Sequence, residues 1–424
     1  MRRPAAEQVP EQVFEQCDVL LRDGGIAQLR PLRGDDRAAL HALVDATSER
    51  SAFLRFFTGG RGTAHTYVER ITAPGYQGRS LVAFVGGRLV AVAEYIPGDD
   101  DRGSADVGIL LDDVVHGRGL GTLLLEHLAV WAAESGVREL VADVLADNRP
   151  MLQVLTDFGL ESTHEFSDGQ VKVRIPLRPT PALLARIEER EHEAEVASLT
   201  RLLSPRSVAV IGAGRDPAGI GHQVLANLID GGFPGPIHPV NAHADQVAGL
   251  RAYPDLGSVP GPVDLAVVAT PAGAVLDVAR DCAAHGVNSL VVVSAGFAEA
   301  GQATGENTLL TICREAGMRL VGPNCLGIVN TNAKLNATFL PGAPAPGRLG
   351  LMSQSGAVAA ALIDRAAGLG VGISSFVSVG NKADVSGNDL LEYWEDDPGT
   401  DVVALYLESF GNPRRFGRIA RRLS

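Results

Sequence analysis

The sequence predicts an α/β protein of several domains, and three observations lead there. Short apolar runs alternate with helix-length amphipathic stretches along most of the chain. Glycine-rich turns sit where such a run gives way to a helix, and one densely charged stretch interrupts the pattern near the middle. With 424 residues, 46% of them hydrophobic, and a mean hydropathy of +0.11, the chain can bury more than one core. A formal charge of −13 and a pI near 5.3 give no electrostatic footprint for nucleic acid or an anionic membrane surface. No window is long and charge-free enough for a membrane span. Cys17, Cys282, Cys313 and Cys325 are far apart, which argues against a disulfide framework or a zinc site, so no metal is expected and a reducing cytoplasm fits.

Taken in order, "MRRPAAEQVPEQVFEQC" reads as a disordered polar tail over residues 1–17. Residues 18–178 form a first domain. Within it "ADVGILL" is a strand, "DDVVHGRGLG" a turn, and "GTLLLEHLAVWAAESG" a helix with Gly136 placed to end it. Gly117, Gly119 and Gly121 clear side chains from the helix start, so unpaired N–H groups and the helix dipole can hold an anion there. A phosphate or pyrophosphate site is the functional reading of that knot; a plain tight turn is the other. "ARIEEREHEAEVASLTRLL" carries apolar residues at helical spacing among many charges and reads as a linker helix over 179–198. After it, "SVAVIG", "IHPVN", "DLAVVAT", "SLVVVSA" and "RLVGPN" recur between helix-length segments, the pattern of a parallel sheet with crossover helices, over 199–340. The Pro/Gly cluster in "LPGAPAPGRLGLMSQSG" marks a third unit over 341–424. A dinucleotide reading of "SVAVIGAGRDPAGIG" is disfavoured, because Asn241 stands where a ribose-binding acid would end the second strand.

"HGRGLG" resembles the acetyl-CoA loop of the GNAT N-acyltransferases, and "DNRPMLQVLTDFGLE" resembles the strand and helix that follow it, with the characteristic Asn148. "SERSAFLRFF" is similar to an early helix of the bacterial protein-lysine acetyltransferase branch. His116 departs from the family's Gln or Arg, a tolerable change if main-chain N–H groups hold the pyrophosphate. The resemblance implies a GNAT fold that binds acetyl-CoA or CoA through Val114, Val115, His116, Gly117, Arg118, Gly119, Leu120, Gly121, Thr122 and Asn148. It also implies attack of an amine on the thioester, with a splayed strand end offering a backbone N–H to the carbonyl. A lysine with reference pKa about 10.4 is only ~10⁻³ neutral at pH 7, so a general base helps. Asp106 stands at the family's glutamate position; the shorter side chain suggests action through water, and a solvated strand-end acid is its plainer reading. Glu94 on the preceding strand is the second candidate, with a hairpin-end charge as its plainer reading. "NRPMLQVLTDFG" has no Tyr, so the general acid stays unassigned.

From residue 199 on, "IGAGRDP", "IHPVN", "VVATPA", "VVVSAGFAE" and "GPNCLGI" stand in the order seen in NDP-forming acyl-CoA synthetases, relatives of the succinyl-CoA synthetase α chain. The resemblance implies a Rossmann-type CoA-binding domain, with contacts at Gly212, Ala213, Gly214, Thr270, Pro271, Ser294, Ala295, Gly296 and Phe297, and a flavodoxin-like domain after it. In the synthetases the helix after Ser353 and Ser355 faces a phosphohistidine that a glutamate, here Glu408, holds. That histidine's string is absent before Ser424, so an incomplete module is expected, without ATP-dependent phosphorylation. Cys325 lacks a base and is given no catalysis. The resemblances together imply an acetyl-CoA-dependent acetyltransferase acting on a protein lysine, for example of an acyl-CoA synthetase, under a CoA-binding regulatory module, in a chain able to form homo-oligomers. A piece of an acyl-CoA ligase and a non-catalytic CoA sensor are the alternatives.

Overall fold

The computed structural model describes residues 16–98, 103–178, 180–409 and 411–422. The polar tail expected over 1–17 lies outside them up to residue 15, and Cys17 already opens the first strand. The chain divides into two compact units, residues up to 191 and residues from 192 on, apart from a short loop at 23–25 that counts with the second.

The first unit runs β1 (Cys17–Leu20), β2 (Ile26–Pro31), α1 (Arg37–Ala46), α2 (Glu49–Phe56), α3 (Gly62–Ile71), β3 (Arg79–Val85), β4 (Arg88–Pro97), β5 (Ser104–Leu111), α4 (Leu120–Glu134), β6 (Glu139–Leu145), α5 (Arg149–Asp157), β7 (Thr163–Ser167) and β8 (Gln170–Pro176). Its strands form one sheet in the order β1-β2-β3-β4-β5-β6-β8-β7. Every neighbouring pair is antiparallel except β5 with β6. The β3–β4 turn is Gly86-Gly87, at φ +57° and +73°, the left-handed pair that a two-residue hairpin requires. Alternation along the strands gives the sheet two buried faces. Ala93, Tyr95 and Ile109 pack under Leu124, Leu125 and Leu128 of α4. Val82, Val92 and Leu110 on the other face pack against Leu40 and Leu43 of α1 and Val68 of α3.

The expected linker helix is longer than its charge pattern suggested: α6 spans Pro181–Leu203. Its last turns are not a solvated face. Leu199, Leu202 and Leu203 are fully buried in the core of the second unit. Glu195 is buried too, because Arg319 Nη1 lies 2.8 Å from its carboxylate.

The second unit continues with β9 (Val208–Ile211), α7 (Ile220–Asp230), β10 (Ile237–Val240), the small ribbon β11 (Gln246–Val247) and β12 (Leu250–Arg251), β13 (Leu265–Val268), α8 (Ala272–Ala284), β14 (Ser289–Val292), α9 (Ala303–Ala316) and β15 (Arg319–Val321). These build a parallel sheet in the order β10-β9-β13-β14-β15. Then come β16 (Gly327–Asn330), β17 (Leu335–Thr338), β18 (Pro346–Ser353), α10 (Gly356–Gly368), β19 (Ile373–Ser378), α11 (Gly387–Asp396), β20 (Val402–Tyr406) and α12 (Pro413–Arg422), with the sheet order β17-β16-β19-β18-β20. β16 and β17, which precede the boundary expected at 340/341, pair into the second sheet. Asn227 of α7 donates to the carbonyls of Thr338 (2.8 Å) and Leu340 (2.9 Å), and one apolar cluster runs from Leu199 through Val210 and Ile328 to Trp394. A Pro/Gly cluster marks a break in secondary structure, and here the core continues across it.

Arg319 is the polar centre of this unit. It is 5% exposed and contacts Glu195 at 2.8 Å, Asp384 at 2.9 Å and the Ser198 hydroxyl at 2.9 Å, with Asp389 at 3.7 Å. Arg319→Met removes the cation that these carboxylates share, so we expect a loss of about 3–5 kcal/mol. The denaturant midpoint of this unit, followed through Trp394 in a Trp131→Phe background, reads it.

Candidate functional site

The parallel pairing of β5 with β6 covers only Ser104–Asp106 against Glu139–Val141. Beyond Asp106 the strands part, which leaves the β6-facing N–H and C=O groups of Val107–Leu111 without a ladder partner on that side. A cleft of about 330 Å³ fills the wedge, lined by Val107–Leu111 on one side and Ala142, Asp143 and Val144 on the other. Its far end is closed by Val115, His116, Gly117 and Gly119, by Leu120–Thr122 at the start of α4, and by Asn148 and Met151 of the next turn.

The glycine turn is shaped by its backbone. Gly117 and Gly119 take φ +73° and +82°, and Gly119 is the left-handed N-cap of α4. Leu123 N–H makes the first bond back to Gly119 O, at 3.2 Å. The N–H groups of Leu120, Gly121 and Thr122 precede it and have no intrahelical acceptor. A Cβ on Gly121 would press on Val154 Cγ2 of α5 at 3.3 Å, so glycine lets the two helices close around the cleft. Donors at a positively polarised helix end, beside an apolar slot, fit a pyrophosphate and the pantetheine arm that follows it.

Most of the residues expected around this turn line the cleft. Val114 and Arg118 do not: Val114 is 67% exposed, and Arg118 O accepts a bond from Arg22 N–H at 3.0 Å. Asn148 caps α5 through Met151 N–H at 3.2 Å, which fixes the turn at the cleft mouth. Asp106 is exposed at the point where the strands part and lies outside the cleft lining. Glu94 is no hairpin-end charge. It sits mid-strand and is 1% exposed, bonded to Arg55 at 2.9 Å and to the Tyr76 hydroxyl, with Arg70 at 3.7 Å.

The lining residues that were not singled out from the sequence include Arg22, Ser51 and Arg55. Ser51 and Arg55 belong to the "SERSAFLRFF" string, so a signal existed without a role. Asp113 accepts Ser51 Oγ at 2.5 Å and Ser48 N–H at 2.8 Å, which pins the start of α2 to the glycine turn. Burial works against the Asp113 carboxylate, yet those bonds hold it below the usual carboxylate range. Arg22 carries no sequence signal, because the approach of the β1–β2 loop to Arg118 is a tertiary event.

In the second unit the expected contact residues gather at the carboxyl ends of β9, β13 and β14, where an open α/β sheet takes its ligands. Gly212 has φ +89°, and a Cβ there would meet Ala269 O at 2.7 Å. The Thr270 hydroxyl is buried with no hydrogen-bond partner among the described residues, a donor suited to a ligand. The Ser294 hydroxyl is taken by Thr270 O at 2.5 Å. Gly296 and Phe297 differ from the expectation, because both N–H groups donate to Glu299. Although burial opposes it, that carboxylate is pulled down to about 2 by Asn381 and these amides. Near α10, Ser353 Oγ donates to Ser355 O at 2.8 Å and Ser355 caps the helix, while Glu408 is exposed. Cys325 is buried, its Sγ against Val292 O at 3.3 Å, and burial pushes the thiol up to about 12, far from a nucleophile's range.

The match to family models decides the first unit: residues 47–160 match the acetyltransferase (GNAT) family. The first unit is a GNAT-family domain. Residues 206–331 match a CoA binding domain and 346–424 a succinyl-CoA ligase like flavodoxin domain, so CoA or its acetyl thioester is the cofactor on both sides of α6. The alpha subunit of an ADP-forming acetate–CoA ligase from Pyrococcus furiosus is 41% identical over 233 residues, 54% of this chain and 50% of that protein. A dinucleotide-forming acetyl-coenzyme A synthetase from Ca. Korarchaeum cryptofilum is 43% identical with TM-score 0.52, covering 53% of this chain and 49% of that one. The chain thus spans about half the length of these ligase relatives. The GNAT domain of S. lividans PAT is 33% identical, covering 38% of this chain and 96% of that one, with TM-score 0.36. No helix among the described residues is long and apolar enough to cross a membrane.

Proposed function

We propose that the GNAT domain transfers the acetyl group of acetyl-CoA to lysine side chains of a protein acceptor, an acyl-CoA synthetase being the expected kind, and that the second unit senses CoA thioesters. The observation that carries this reading is the wedge between β5 and β6, which runs from a pyrophosphate-sized amide nest at α4 to an exposed carboxylate, Asp106, at its apex. The thioester then lies against the unpaired edge of β5. As the amine nitrogen bonds to the carbonyl carbon, an edge N–H takes up the charge on oxygen and Asp106 collects the amine proton. The C–S bond breaks and CoA leaves as thiolate. Lysine as acceptor is supported by the α2 string at the cleft wall.

Incubating the purified chain with labelled acetyl-CoA and lysate of its own source, then mapping acetyl-lysines by mass spectrometry, tests the reading. Label on defined lysines of a few proteins is the expected result. Label only on small amines, or none above the spontaneous background, overturns it. The identity to acetate–CoA ligases favours a second reading, a ligase component, for which ATP-dependent phosphate transfer to a histidine of the chain is the distinguishing result.

A further inference from the structure

Behind the cleft wall stands a charge cluster to which no role has been given. Arg55, in the last turn of α2, lines the cleft, and its guanidinium is held from the far side. One N–H reaches Glu94 Oε1 at 2.9 Å, and the cation lies 5.3 Å and 5.4 Å from the ring centres of Phe56 and Tyr67. Glu94 is fixed in turn by the Tyr76 hydroxyl and by Arg70. A guanidinium has five N–H donors. Here Nε–H is buried without an acceptor among the described residues.

The place of this cation relative to the wedge is what matters. In the β4–β5 register Glu94 stands opposite Gly108, two residues past the apex at Asp106. A Cβ on Gly108 would collide with Arg55 Nη2. Its φ is not in the left-handed region, so glycine is needed there for space and not for backbone conformation. The strand thus gives up a side chain on the unpaired stretch of β5, and an arginine fills the room.

We propose that Arg55 is a catalytic residue of acyl transfer, set by Glu94 as its positioning residue so that a guanidinium N–H meets the thioester oxygen at Gly108. This rests on the acetyl-transfer reading above. As the amine nitrogen bonds to the carbonyl carbon, the π pair moves to oxygen and Arg55 stabilises it. When the pair returns, the C–S bond breaks, the thiolate leaves, and the proton displaced from nitrogen is on Asp106. Glu94 then serves as an anchor and not as a base, which explains why a strand carboxylate is buried away from the cleft.

The test is a double-mutant cycle on the full chain with acetyl-CoA and a lysine peptide. Arg55→Gln is expected to lower kcat about 10²-fold, the scale for loss of one oxyanion donor, with the acetyl-CoA KM changed less than about threefold. Gly108→Ala keeps every charged group but pushes the guanidinium aside, so it should lower kcat about tenfold and add almost nothing on top of Arg55→Gln. Should Arg55→Gln fold poorly, as shown by loss of the cooperative thermal unfolding transition of the first unit, Gly108→Ala alone carries the test. Glu94→Gln should fall between, with kcat lowered and KM kept. Wild-type kcat in either Arg55→Gln or Gly108→Ala, or fully additive losses, overturns the role of Arg55. A wild-type chain that transfers no acetyl group to any amine overturns the acetyl-transfer reading itself.

Discussion

Gly119→Glu is expected to abolish acetyl transfer while CoA binding by the second unit persists. Two effects act on the same spot. Gly119 holds φ +82° at the N-cap of α4, and an L-residue there costs about 1–2 kcal/mol. The added carboxylate would also lie at the helix end where the pyrophosphate is expected. Like charges about 4 Å apart at an effective dielectric of about 20 repel by on the order of 4 kcal/mol, roughly 10³-fold in affinity. Neighbouring side chains do not forbid the mutant, since a Cβ at Gly119 comes no nearer than 3.8 Å to Arg22 Cβ. The fold should therefore survive with a modestly lowered Tm. Isothermal titration of the full chain with acetyl-CoA, beside a transfer assay, reads both parts. Unchanged transfer at micromolar acetyl-CoA would remove the anion site from the glycine turn.

Asp106→Asn should leave acetyl-CoA affinity near wild type and lower the transfer rate by ~10²-fold or more, the range of a positioned general base. The substitution keeps the shape of the side chain, and Asp106 is exposed and outside the cleft lining, so neither the core nor the cofactor slot is disturbed. Raising the pH should narrow the gap to wild type. The acceptor lysine, with reference pKa about 10.4, supplies ten times more free amine for each unit of pH below that value and depends less on help. Single-turnover rates between pH 7 and 9 measure the effect. A variant as fast as wild type at pH 7 would mean that the amine loses its proton elsewhere, and Asp106 would be a solvated strand end.

How far the site was legible differs from residue to residue. The glycine turn was readable because its signal is local: three glycines in five residues before a helix say where side chains are missing and where amides are free. The strand before it and the helix after it came from periodicity, and the structure has both, as β5 and α4. Glu94 was misread as a hairpin-end charge. The residues that bury it, Arg55 and Tyr76, come from α2 and from the loop before β3, and nothing in the strand's own alternation reports them. The linker helix was read from the same kind of local charge count, which cannot show that Arg319 waits 124 residues away for Glu195.

By itself the sequence determined the fold class, the glycine turn between a strand and a helix, and the ordered strings of the CoA-binding half. Each depends on interactions a few residues long or on composition. Only the tertiary structure decided where β5 lets go of β6, that Arg55 rather than Glu94 faces the cleft, and that one apolar cluster joins the two sheets of the second unit. Those outcomes depend on pairing register and on burial between segments far apart in the chain. There the free energy lies in desolvation and close packing, which no local pattern encodes.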